Sequence, residues 1–205
     1  MLTLLQEGGP LLWPIFGTSI VAFVVFVERT FHLHRAQIKP DDFLRGIFNI
    51  LRAGRISEAL SICEDTPGPV AGVVRAAIQH HDKERPVIRQ AILDAGLTEI
   101  PRLERNMGIL ATAAQIAPLL GLLGTVWGMR FVLLAIKQTA PLVGAADLAG
   151  GMWQALLSTV AGLIVAVLSF VAYNFLVGRV DAILLDVERA ANEILAFLTG
   201  SRGNG

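Results

Sequence analysis

The segment GMWQALLSTVAGLIVAVLSF, residues 151–170, decides the fold. It lies within residues 148–178, where no Asp, Glu, Lys or Arg occurs. At about 1.5 Å per residue, a helix of that length crosses the roughly 30 Å apolar core of a bilayer with turns to spare. Leu and Val alone would satisfy lipid. This helix also carries Gln154, Ser158, Thr159, Gly162, Ser169 and Tyr173, and polar groups at membrane depth ask for a reason.

Outward from that segment, the whole chain of 205 residues is 54% hydrophobic and only 17% charged, with a mean hydropathy of +0.60. A soluble domain carries about a quarter charged residues. The deficit is concentrated in three stretches, the pattern of an integral membrane protein. Zero formal net charge gives no sign of nucleic-acid binding. The single Cys63 cannot form an internal disulfide. His32, His34, His80 and His81 fall in charged regions without metal-ligand spacing, so no metal is expected. With no nucleophile–base set and no phosphate-binding loop, the chain does not read as an enzyme, and no cofactor is expected.

Two further stretches complete the spans. LLWPIFGTSIVAFVVFV, residues 11–27, has no basic n-region and no small-residue cleavage site, so it reads as a span rather than a signal peptide. Residues 107–129 are uncharged and continue past Arg130 through FVLLAI. Twelve of the seventeen Lys and Arg fall between Glu28 and Asn106, and Arg179, Arg189 and Arg202 follow the third span. By the positive-inside rule the N-terminus is outside, and the long loop and C-terminal tail are cytoplasmic. Arg130 is placed to snorkel to the headgroups, and Trp13, Trp127 and Trp153 lie where interfacial rings belong.

The expected organisation follows. Residues 1–30 hold the outer N-terminal segment and first span, and 31–106 form a cytoplasmic helical loop. Residues 107–137 are the second span, 138–147 a short outer loop whose Asp147 caps the next helix, and 148–178 the third span. Residues 179–205 form a cytoplasmic amphipathic helix with a frayed SRGNG end. Within the loop, Phe43, Ile47 and Ile50/Leu51 share a face, as do Ile56, Leu60 and Cys63/Glu64. TPGP at 66–69 breaks the chain. Pro86 suits the first turn of a helix expected to run on towards the second span. In the tail, Val180, Ile183/Leu184, Val187, Ala191, Ile194/Leu195 and Leu198 make an apolar stripe. The fold class is all-α, with three transmembrane helices and long cytoplasmic helical extensions.

On the third span Thr159, Gly162, Ala166, Ser169 and Tyr173 follow at steps of three or four and therefore share a face. Gln154 and Ser158 form an i, i+4 pair beside it. The second span repeats the theme with Ala114, Pro118, Gly121, Thr125 and Gly128. Two explanations stand. Small residues let membrane helices approach closely while hydroxyls bond across them. Alternatively these faces line a narrow, partly hydrated ion path, with Thr125, Thr159, Gln154, Ser158 and Gly162 along it.

APLLGLLGTVWGM (117–129) and ALLSTVAGLIVAV…YN (155–174) resemble the two signature helices of the ExbB/TolQ/MotA proton-channel family. GGPLLWPI and VERTFHLHRA resemble the first helix and its exit in ExbB- and TolQ-type members. A flagellar MotA-type relative, with four spans, fits less well. The resemblance implies a bacterial inner-membrane complex in which five such subunits, a homo-pentamer, surround two copies of a single-span ExbD- or TolR-like partner. The complex turns an ion gradient into work across the periplasm, with a TonB-like protein as a further partner. It places Thr125 and Thr159 along the ion path. Two positions depart from the family pattern. Gln154 stands where Glu is common, and AVLS at 166–169 replaces AIPA. The spans hold no Asp or Glu, so the resemblance implies that the titrating acid belongs to the partner helix. The rival reading is a non-conducting scaffold for such a partner.

Overall fold

The computed structural model describes residues 9–36, 40–139 and 144–200, with the side chains of residues 35, 36, 139 and 145–147 excepted. The third long helix already begins at Ala145, so Asp147 lies within its first turn rather than capping it, while residues 140–143 of the loop between the second and third spans and the SRGNG tail lie outside the described residues. Every regular element among those described is helical. In order they are α1 (Leu12–Ala36), α2 (Pro40–Arg52), α3 (Ile56–Asp65), α4 (Pro69–Gln79), α5 (Arg85–Glu104), α6 (Met107–Thr139) and α7 (Ala145–Gly200). Three stretches, Leu12–His34, Met107–Gln138 and Leu148–Gly200, are long and apolar enough to cross a membrane. The protein is an all-α, multi-pass membrane protein.

The chain divides into two units. One comprises Met1–Glu28 with Asn106–Leu176, the other Arg29–Arg105 with Val177–Gly205. In the first, the membrane unit, large apolar side chains point outward. Leu119, Leu163 and Phe170 are 63%, 50% and 60% exposed. Phe26 of α1 meets Phe175 of α7 edge-on, with ring centroids 6.3 Å apart. The Arg130 guanidinium lies 5.2 Å from the Trp127 ring centroid and 5.9 Å from that of Phe131. Cation–π contact with two rings gives that charge a place on an otherwise apolar helix.

The second unit is a helical bundle closed over branched aliphatic side chains. Leu44 and Ile47 of α2, Ala59 and Cys63 of α3, Val74 and Ile78 of α4, Ile88 and Ile92 of α5, and Ala190 and Ile194 of α7 are all buried in one cluster. Phe43, Ile50, Leu51, Ile56, Leu60, Val187, Ala191 and Leu198 pack against it. Phe48 stacks on Phe197 at 4.6 Å. Burial pushes the Cys63 thiol up to about 11, which leaves it a small core hydrophobe.

Local breaks follow side-chain chemistry. Thr66 ends α3, its N–H and hydroxyl both donating to the Ile62 carbonyl, at 3.1 and 2.7 Å. Gly68 then adopts φ +122°, a conformation that L side chains rarely take, and Pro69 starts α4 at its first position. The helix expected to run on from Pro86 instead stops at Glu104. Arg105 is extended and Asn106 takes φ +63°, a left-handed turn that Asn tolerates better than most residues. By contrast, α7 runs unbroken for 56 residues through Gly178. A lone glycine inside a helix costs only about 1 kcal/mol relative to Ala, and no proline follows it.

Candidate functional site

The two signature helices meet along stripes of the smallest side chains in the membrane unit. On α6 the buried line runs Ala113, Ala117, Gly121, Gly124 and Gly128, ending at Val132; on α7 it runs Gly151, Ala155, Ser158, Gly162, Ala166 and Ser169. The steps are three or four, so each line is one helix face. Gly128 lies against Gly151 and Ala155, while Ala117 and Gly121 lie against Gly162. The two helices therefore run antiparallel.

Glycine is required where backbone meets backbone. A Cβ on Gly162 would stand 2.6 Å from the Ala117 carbonyl oxygen and 2.9 Å from the Gly121 Cα. One on Gly128 would stand 2.8 Å from the Gly151 carbonyl oxygen. One on Gly121 would stand 3.1 Å from the Ser158 carbonyl oxygen. Gly124 faces the Ser158 side chain, leaving no room for a side chain of its own.

The polar groups sit in and beside this seam. Ser158 is fully buried and donates to the Gln154 carbonyl at 2.6 Å. Thr159 is partly buried; its hydroxyl lies 3.2 Å from the Ala155 carbonyl and reaches across to the Gly121 carbonyl at 3.4 Å. Thr125 donates to the Leu122 carbonyl at 2.6 Å on a more open flank. Gln154 is half-buried beside Gly9, whose φ of +75° brings the entering chain against the Gln154 amide.

Of the residues singled out by spacing, Gly121, Gly128, Ser158, Gly162 and Ala166 stand in the seam, and Ala114, Pro118, Thr125, Gln154, Thr159 and Tyr173 flank it, half-buried. The seam is also built from Gly124, Gly151, Ala155 and Ala117, which the spacing argument passed over. Their signal was present as small residues four apart: Ala117 and Gly121, Gly124 and Gly128, Gly151 and Ala155. The apolar runs 11–27, 107–137 and 148–178 offer hydroxyls and the amides of Gln115, Gln154 and Asn174 but no carboxylate. They can hydrate or orient a charge; they cannot supply a titrating acid. Among the described residues no group of three or more His, Cys, Asp or Glu is placed to hold a metal ion.

A model of the MotA/TolQ/ExbB proton channel family matches residues 66–189. The chain is 26% identical over 182 residues to the "Putative biopolymer transport protein ExbB homolog" of Methanothermobacter thermautotrophicus, covering 88% of this chain and 64% of that protein. It is 28% identical over 207 aligned positions to the biopolymer transport protein ExbB of Neisseria meningitidis serogroup A, covering 92% of each. A third relative, from Xanthomonas campestris pv. campestris and also named biopolymer transport protein ExbB, is 34% identical over 119 residues. That match covers 56% of this chain and 46% of the relative.

Proposed function

The chain belongs to the MotA/TolQ/ExbB proton channel family, and we propose that within it the protein is an ExbB- or TolQ-like subunit of an ion-driven motor in the cytoplasmic membrane. Copies of the chain, five by the family resemblance, surround single-span ExbD- or TolR-like helices. The partner's intramembrane acid carries the proton, and a TonB-like or comparable protein receives the work. The N-terminus lies outside and the C-terminus in the cytoplasm, as the distribution of Lys and Arg favours.

One observation carries this reading. The apolar runs 11–27, 107–137 and 148–178 hold no Asp or Glu, yet Thr125, Thr159 and Gln154 stand on the flanks of the seam of small residues. Hydroxyls there hydrate a partner's charge without the cost of a permanent buried one. Gradient-driven proton flux through the reconstituted complex with its partner tests it. Thr159→Val keeps the volume and removes donor and acceptor, and is expected to lower flux at least about tenfold. Thr159→Ser retains most of it. Full flux in Thr159→Val, with assembly intact, overturns the reading.

A non-conducting scaffold is the second reading, and a specific observation favours it. Thr159 already has carbonyl partners on both helices, and Gln154 is an amide. Under that reading Thr159→Val changes stability and leaves the partner's activity untouched.

A further inference from the structure

A cavity of about 620 Å³ opens in the second unit, and none of its lining residues belongs to the glycine seam. Its lining mixes apolar walls and nitrogen donors with one carboxylate, that of Glu99. Phe31, Leu103 and the prolines of the α3–α4 break supply apolar walls, while Arg102, Arg105 and His32 supply nitrogen donors. Arg102 bonds to Glu99 at 2.9 Å, so one cation is partly neutralised. Arg105 makes no ion pair among the described residues, and the extended backbone before left-handed Asn106 sets it at the cavity rim. Gly68 and Pro69, at the N-terminal and so positive end of α4, form part of the wall.

Phe31 follows the apolar run of residues 11–27 by about one turn. Arg105 lies two residues before Met107, where the second membrane helix starts. Two of its lining residues therefore lie within a few residues of a span end, the part of a chain that meets headgroups. Phe31, 73% exposed, is an apolar ring where acyl chains meet headgroups.

We propose that this cavity binds the phosphate of an anionic phospholipid, with Arg102 and Arg105 on the phosphate and Phe31, Leu103 and the prolines against the glycerol and upper acyl region. The mixed lining selects the lipid over inorganic phosphate, which has no use for apolar walls. Arginine is suited to phosphate because its planar fork donates two parallel hydrogen bonds. The site rests on the cavity lining and on the nearness in sequence of Phe31 and Arg105 to membrane spans, and it does not depend on conduction.

Native mass spectrometry of the full-length protein in mild detergent, titrated with phosphatidylglycerol, phosphatidylcholine or inorganic phosphate, tests the assignment. The wild type should retain phosphatidylglycerol at least about tenfold better than phosphatidylcholine, and the double variant Arg102→Gln/Arg105→Gln should lose that preference. Arg102→Lys/Arg105→Lys keeps the charges and should retain part of it. The control Arg45→Gln/Arg89→Gln removes two exposed charges outside the cavity and should bind as the wild type does. Equal loss in the control would make the effect one of general charge and overturn the site. Displacement of the lipid by millimolar inorganic phosphate would overturn the lipid assignment. Unchanged helix content by circular dichroism keeps misfolding of the double variant from mimicking the expected loss.

Discussion

The membrane unit and the helical bundle solve the same packing problem with opposite side chains. The bundle hides Ile47, Ile78, Ile88 and Ile194 and leaves arginines and glutamates at its surface. The membrane unit hides Gly121, Gly124, Gly128, Gly162 and Ser158 and turns Leu119, Leu163 and Phe170 outward. Water rewards burial of aliphatic surface, at about 25 cal/mol per Å². Lipid gives no such reward, because acyl chains are as apolar as Leu, and helix association there rests on close backbone approach and interhelical hydrogen bonds. The side chain that stabilises one unit would disrupt the other.

The sharpest way to break that contrast is to put a bundle residue into the seam. Gly162→Leu drives a branched side chain into the Ala117 carbonyl and the Gly121 backbone, and neither can move without shifting α6. Separation of α6 from α7 is expected, at a cost upwards of about 3 kcal/mol, read as loss of the thermal transition in detergent and of any oligomer on native gels. Even Gly162→Ala should lower the transition measurably.

Removing bulk from the bundle comes next. Ile78 is fully buried among α4 neighbours and the α7 stripe. Ile78→Ala should cost about 2–5 kcal/mol, seen in denaturant melts of the full-length protein, with helix α4 becoming the first to exchange its amides. The smallest effect is expected on the lipid-facing side. Leu163→Ala takes away as many carbons as a core deletion, yet half-exposed Leu163 only exchanges protein for lipid contact. Stability should stay within about 0.5 kcal/mol. A loss comparable to Ile78→Ala would mean that another protein surface covers Leu163.

Much of this contrast was legible in the sequence, because water and lipid leave different marks on composition. Charge-free runs located the three spans, and steps of three and four placed Ile47, Cys63, Ile183 and Ile194 on buried faces. The seam was only half legible. Spacing alone grouped Thr125 with Gly121, and Thr159 with Gly162, since helix faces are wide and a step of four is ambiguous by about 40°. Which side of that face touches the neighbour depends on how closely the two backbones approach, and Gly124 and Gly151 report this by lacking a side chain. Leu44, fully buried beside Ile47, was missed for the same reason. The end of α5 at Glu104 was not legible, because Asn106 sits in a run of charged residues that a helix accepts equally well.

Within the bundle, the unbroken course of α7 sets a phase along its apolar stripe. Each residue advances a helix by 100°, so the azimuth of Val180 and Ile183 fixes that of Ala190 and Ile194 further along the same helix. One Ala inserted after Leu185 would delete no side chain, yet it would turn one half of the stripe by about 100° against the other. Leu185→Ala, at a position 67% exposed, turns nothing. The insertion should abolish the cooperative unfolding of the bundle, while the substitution should melt as the wild type does.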